Sequence, residues 1–377
     1  MSENFFPAAH HEVWLYDPFG VRLLNLSQLV SINYSKALGS IGRFVLLMPF
    51  TEELFNLVGI DFLIGIARNS QNTKVETNFL GLIRSIRILD KGGFDLLELG
   101  GEDGISLLNS RIVAYQAGTA QARKTDQADD MMKAIVRENL GALATDTARN
   151  LTSYGFEVEV DEALGPTITR VLTWKNILTL LNAIYRTSVR KGTPVYFDIV
   201  PVQNSETSIG FKFVTAINQL GNDRTFTSGA PTVFSREFGN LENPSLAYDH
   251  AKEINAVYAA GEGWGIHRQL LISLDDDRIG ISPWNRREKF IDVRQAETAE
   301  DMSTKADEAL KEGQPQVLFS AILKDAPASR YGVEWNYGDK VVVQYRNVNL
   351  NGIINAVKIT WSEDGSERIE SRVEAVL

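Results

Sequence analysis

One strand-like pattern occurs twice in the chain and constrains the fold more than any other feature. Gly81, Ile83, Ile86 and Ile88 in GLIRSIRI recur as Gly352, Ile354, Val357 and Ile359 in GIINAVKI, every pair offset by the same 271 positions. In both copies the preceding strand-like run ends in Arg-Asn, at Arg68-Asn69 and Arg346-Asn347. A glycine turn (Gly92, Gly365) then leads into a closing run, FDLLEL or ERIESRV. Apolar residues on one strand face look alike in many proteins, so chance is the competing account. The shared glycine, the shared Arg-Asn and the same order favour two related β modules flanking an insertion. A glycine inside such a strand marks a place where the backbone needs relief from a side chain.

The rest of the chain fits that frame. From Val13 to about Leu99 the runs VWLY, RFVLLMPF, DFLIGIAR and FLGLIRSIRIL are separated by turn residues such as Asp17-Pro18-Phe19-Gly20, and Lys91-Gly92-Gly93 reads as a hairpin. Short strands at this spacing indicate a small barrel or sandwich. The middle changes period. Asp103 to Val113 reads as a helix with Asp103 as N-cap. Asp126 to Leu140 places Ala128, Met131, Met132, Ile135 and Val136 on one helical face before Gly141. Thr173 is the expected cap of a third helix carrying Trp174, Ile177, Leu178, Leu181, Ile184 and Tyr185 at helical spacing. Strands return from Thr225, interrupted by one helix headed by a Thr298/Asp301 capping box.

At 377 residues the chain exceeds the roughly 100–200 residues of an ordinary single core, so two or three domains are expected. The reading is a mainly β fold with α+β insertions: a first β-barrel over 1–103, an α+β insertion over 104–224, and a second β-barrel with an inserted helix over 225–377.

Composition excludes several classes of function. A net charge of −10 disfavours binding that works by Lys and Arg displacing phosphate counterions, yet suits the wall of a conduit through which DNA must slide. With no cysteine there is no disulfide framework, thiolate metal site or thiol nucleophile. No segment approaches 18 uncharged apolar residues, and Met1 to His11 lacks a basic leader, so neither a membrane anchor nor a secretory route is expected.

Candidate chemistry is sparse. Asp275-Asp276-Asp277 could offer oxygen ligands to a hard cation, but lacks the spacing of a calcium loop and reads as a solvated turn. Gly261-Glu262-Gly263-Trp264-Gly265 superficially evokes a phosphate loop. The strand-like IHRQLLISL that follows makes it a hairpin turn instead. His10-His11 adjoins the terminus, and neither H-E-x-x-H nor G-x-S-x-G occurs. No catalytic, metal-ligating or cofactor-binding residue is assigned. Trp284, Arg286, Arg287 and Glu288, with Arg294 beyond, form a dense cluster that fits either a subunit contact or a surface ion-pair network.

Taken together, VWLYDPFGVRLLNL, GRFVLLMP, FLGLIRSI, GGEDGISLLNSRIV, FSREFGNLENPSLAYD, NAVYAAGEG, WNRREKFIDVR and YGVEWNYGDKVVV, in that order, resemble the baseplate hub or tail-associated proteins of siphophage tails, over nearly the whole chain. That family shares its fold with the hubs of contractile tails. The resemblance implies a structural protein, not an enzyme, at the virion tail tip, assembled in the host cytoplasm. It implies a homotrimer whose six barrels match a sixfold tube, with the distal tail protein or tail tube, the tape measure protein, and spike or fibre proteins as partners. Such a hub would adapt sixfold to threefold symmetry and position tip components for genome delivery. Many relatives continue into muralytic or fibre extensions, whereas this chain stops after the second closing strand, so such activity is expected on another chain. The alternative is a polysaccharide-binding or degrading tail protein.

Overall fold

The computed structural model describes residues 10–69, 77–90, 92–114, 123–172, 174–294, 298–324, 326 and 329–375. Strand outweighs helix by 46% to 20%, so the fold is mainly β. Lys91 and Thr173, read above as a turn residue and a helix cap, lie outside the described residues.

The first stretch supplies β1 (His10–Tyr16), β2 (Arg22–Asn25), β3 (Ser31–Ala37), β4 (Arg43–Pro49), α1 (Glu52–Leu57), β5 (Leu63–Asn69), β6 (Phe79–Asp90) and β7 (Asp95–Asp103). Period-two alternation explains β4, where Phe44, Leu46 and Met48 point inward and their neighbours outward. Thr51 caps α1, its hydroxyl accepting from the Leu54 amide at 3.2 Å.

The middle stretch contributes α2 (Ile105–Asn109), β8 (Arg123–Gln127), α3 (Ala128–Asn139), β9 (Phe156–Val158), β10 (Thr167–Val171), α4 (Ile177–Arg190), β11 (Val195–Ser205) and β12 (Ser208–Ile217). Met131, Met132, Ile135 and Val136 of α3 share a core with Leu180, Leu181 and Ile184 of α4 and with Phe197 and Phe213 of the β11–β12 hairpin. Three helix boundaries differ from expectation, the first at α3, which starts at Ala128 because Asp126 and Gln127 belong to β8 and pair with β10. Asp103 remains in β7, its amide bonded to the Gly42 carbonyl, so α2 begins at Ile105 with Gly104, not Asp103, at the N-cap position. Trp174 takes a left-handed φ of 61° and stays outside α4, which starts at Ile177.

The last stretch holds β13 (Asp223–Arg224), β14 (Val233–Ser235), β15 (Leu241–Asp249), β16 (Ala256–Ala260), β17 (Leu270–Leu274), α5 (Asp276–Ile279), β18 (Glu288–Asp292), α6 (Ala299–Glu312), β19 (Gln316–Leu323), β20 (Lys340–Tyr345), β21 (Val348–Ser362) and β22 (Glu367–Ala375). The capping box heads α6: the Thr298 hydroxyl accepts from the Asp301 amide at 3.0 Å, and the Asp301 carboxylate accepts from the Thr298 amide at 3.1 Å. Residues 261–269 join β16 to β17 as a hairpin. Asp275, in the acidic triplet, caps the short α5 and pairs with Arg278 at 2.7 Å.

Residues Ser245–Phe319 form the greater part of a compact unit apart from the rest. In it, β17-β16-β18 make a three-stranded sheet, and Val257, Ala259 and Val293 pack with Met302, Ala306 and Ala309 of α6. The larger unit is organised by one twelve-stranded sheet in the order β13-β20-β21-β3-β4-β7-β6-β5-β1-β2, with β14 on β20 and β22 on β21. Strands from both ends of the sequence thus belong to a single sheet, and among the described residues its order closes no barrel.

Candidate functional site: the seam between the repeat copies

The sequence repeat coincides with two strand triplets, β5-β6-β7 and β20-β21-β22, each with the repeat strand in the centre. Gly81 pairs with Ile64 on one edge and Asp103 on the other; Gly352 pairs with Val341 and Ala375. Both central strands carry a bulge at the same place, at Arg84 between Ile83 and Ser85 and at Asn355 between Ile354 and Ala356. Each bulge adds twist and re-aims the half-strand beyond it. Ile83 and Ile354 are buried, whereas the pairs beyond the bulge part company: Val357 and Ile359 are buried, Ile86 is half-buried and Ile88 is exposed. The Arg-Asn pairs do not share a role, since Arg68 ends β5 while Arg346 sits in the turn before β21 with a φ of 54°.

The two copies meet where β3 lies antiparallel on the far half of β21, from Ala37 opposite Ala356 to Ser31 opposite Ser362. One flank of this seam is a buried polar cluster. The Arg68 guanidinium grips Glu367 with two parallel bonds, Nε to Oε1 at 2.8 Å and Nη2 to Oε2 at 2.7 Å. Its Nη1 donates to the Tyr331 carbonyl at 2.8 Å, and the group stacks over the Tyr331 ring. Such bidentate charge-assisted bonds are among the stronger ones available to a protein. His11 Nε2 lies 3.3 Å from Glu367 Oε1, and its ring contacts Tyr34 and Trp361. Although it adjoins the terminus, His11 is only 1% exposed in its side chain. Burial pushes the Tyr34 hydroxyl well above its ordinary pKa.

A second buried cluster surrounds Lys36, also on β3. Its ammonium meets Asp198 of β11 at 2.8 Å and sits 4.8 Å from the centre of the Tyr337 ring. Burial, and after it the neighbouring Asp198 charge, push the Asp103 carboxyl up to about 7, against the pull of Lys36 and of the backbone at Gly42 and Ile105. The unfolded chain releases this proton near the ordinary value of 3.8. Between the two values the folded state therefore holds a proton that the unfolded state has lost, and stability falls as pH rises, until the loss is complete above about 7. Asp103→Asn, which keeps the acceptor for the Ile105 amide, is expected to be more stable than wild type at pH 8 by about 1–3 kcal/mol. Urea titrations should show that advantage shrinking as pH falls; a pH dependence identical to wild type would contradict this account.

The clusters bring opposite charges together between strands far apart in the chain. Among the described residues no three His, Asp or Glu side chains converge as metal ligands. The sequence singled out neither Arg68-Glu367 nor Lys36-Asp198, because their partners are far apart in the chain.

The structure distributes the Trp284 cluster over the smaller unit. Arg286 pairs with Glu288 at 2.7 Å and donates to the Tyr258 hydroxyl at 2.9 Å. The Arg287 amide donates to the Asn255 side-chain oxygen at 2.8 Å, and Arg294 pairs with Asp292 at 3.3 Å and stacks over Trp264. Trp284 is 86% exposed.

A family model described as siphovirus ReqiPepy6 Gp37-like protein matches residues 12–373. No curated protein matches the sequence. Among solved structures, the 43 kDa tail protein of prophage MuSo2 from Shewanella oneidensis is 11% identical over 97% of this chain and 98% of its own, with a TM-score of 0.58. The tail protein from Neisseria meningitidis MC58 is 13% identical over 97% and 96%, at 0.54. Prophage tail protein gp18 from Listeria monocytogenes EGD-e is 10% identical over 96% and 94%, at 0.50. At such identities the likeness is one of fold. Carried by the family match over almost its entire length, the chain belongs to the siphovirus ReqiPepy6 Gp37-like family and has the fold of phage tail proteins.

Proposed function

We propose that this protein is the structural hub at the distal end of a phage tail tube, three copies forming a ring of six similar β modules. The observation that carries the reading is the seam: two strand triplets of matching register lie in one sheet, bridged by the hairpin β3–β4, which pairs with β21 of one and β7 of the other. A sixfold tube needs six quasi-equivalent contacts at its end, and three chains of two modules each supply them. In this reading 1–103 and 225–377 furnish the tube-type barrels, completed in the assembly, and 104–224 elaborates the first. The distal tail protein or tube, the tape measure protein and spike or fibre proteins are the partners, and the protein sits at the virion tail tip after assembly in the host cytoplasm.

The excess of 48 acidic over 38 basic residues suits a lumen that DNA crosses without adhering. Repulsion across such a wall would keep the passing genome mobile. Reconstruction of assembled tail tips by electron microscopy is expected to find three copies around an open axial channel; one or six copies, or a basic lumen, would overturn the reading. The polysaccharide-degrading alternative predicts glycan turnover that is lost on replacing a specific Asp or Glu, and the hub reading predicts none.

A further inference from the structure

The two triplets differ at one edge. In the second copy, β22 and β3 both pair with Ala356–Trp361, so they occupy opposite edges of β21. Since β20 and β22 likewise both pair with Gly352, β3 continues the edge that β20 begins. In the first copy β5 covers only Phe79–Leu82, while β7 takes the other edge of β6 from Gly81 to Asp90. Among the described residues no strand takes the place of β3, and the β5-side edge of β6 from Ser85 to Asp90 is bare.

Side chains register the missing strand. Ile359 is 1% exposed and Val357 3%, each opposite a β3 residue. Ile88, the repeat equivalent of Ile359, is 48% exposed, although it sits opposite the fully buried Leu97. An edge of unpaired amides and carbonyls beside an uncovered isoleucine is a template for strand addition.

The same comparison identifies the occupant. The strand that covers β21 is the outer strand of the hairpin β3–β4, whose inner strand β4 pairs with β7. In the second copy, Ser320, Ala321 and Ile322 of β19 and Asn243 of β15 line a cleft with residues 35–37 of β3, 356–358 of β21 and 370–372 of β22, the counterpart of β7. The strand paired with β19 is β15, which pairs with no other described strand. We infer that the bare edge of β6 is a self-association site, occupied by strand β15 of a second copy of this chain laid antiparallel over Ile86 and Ile88. The contact is head-to-tail, since the two surfaces differ, and head-to-tail contacts close into rings when the rotation permits. This rests on the ring reading above and deepens it by naming the edge.

The test uses the full chain in light scattering coupled to size exclusion, over a concentration series. Ile88→Glu puts a charge into the joint, and is expected to leave the circular dichroism unchanged while weakening self-association by roughly a hundredfold or more. Ile88→Thr, with good strand propensity, serves if the glutamate variant fails to fold. Because the natural chain has no cysteine, Ile88→Cys combined with single cysteines placed from Asn243 to Ala247 should yield oxidative cross-links between copies. Trimers that persist with Ile88→Glu overturn the edge and leave the ring intact. Dimers or open chains that Ile88→Glu dissolves keep the edge and overturn the threefold ring. A wild type that stays monomeric throughout refutes the site, and dissociation by Ile88→Glu without any cross-link refutes β15 as its occupant.

Discussion

Arg68→Ala is expected to destabilise the protein by about 3–5 kcal/mol, because it strands Glu367 in a buried site with its bidentate partner removed. The arginine side chain is 4% exposed and the glutamate 11%, so water cannot take over the two lost bonds. The Tyr331 carbonyl loses its donor as well. Most of the cost is the uncompensated charge, not the net worth of the pair, and this separates the argument from a simple count of contacts. The double variant Arg68→Met with Glu367→Gln, which removes both charges at similar volume, should recover much of the loss. Urea unfolding of the single and double variants measures both quantities. A single-variant loss below about 1 kcal/mol, the range of an exposed pair, would mean that the cluster is open to water.

Gly101→Val is the second change expected to have a large effect, at about 3 kcal/mol or more, with failure to accumulate as folded protein a natural outcome. Gly101 pairs with Ile83 beside the Arg84 bulge. A Cβ there would lie 2.0 Å from the Leu82 carbonyl oxygen and 2.5 Å from the Phe44 ring. The first contact is with backbone and cannot be relieved by a rotamer change. The second is with a fully buried ring that also rests against Gly81, where a Cβ would come within 2.8 Å of it. Phe44 therefore fills the space that two glycines leave. At the position of the second triplet that faces Ile354, the chain carries Val373, so a valine there is native and Gly101→Val asks the first triplet to accept what the second already holds. A well-folded Gly101→Val protein of near wild-type stability would show that Phe44 and the bulge can move together.

How far these features were legible in the sequence depended on the range of the interaction. The helix α6 was readable because Thr298 and Asp301 are three residues apart and satisfy each other's backbone. The face of α3 was readable because Met131, Met132, Ile135 and Val136 repeat at helical period. The expected helix from Asp103 to Val113 shrank to Ile105–Asn109 since Asp103 was claimed by the sheet, its amide by Gly42 and its carboxyl by the buried surroundings of Lys36. Arg-Asn looked like a shared mark of both copies, yet only Arg68 is drawn into a buried cluster with Glu367, while Arg346 lies exposed in a turn over the Tyr345 ring.

By itself the sequence determined what neighbours in the chain can settle: the mainly β periodicity, the Thr298/Asp301 capping box, the repeated spacing of Gly81 to Ile88 and Gly352 to Ile359, and the absence of thiol chemistry. Only the tertiary structure decided that β3 covers β21 while the matching edge of β6 stays bare, and that Arg68 meets Glu367 across 299 positions. The physical reason is that a strand's alternation fixes which side chains share a face but carries no record of which edge another strand will take. The choice of edge, and the burial of any charge beside it, is set by the packing of segments far apart in the chain.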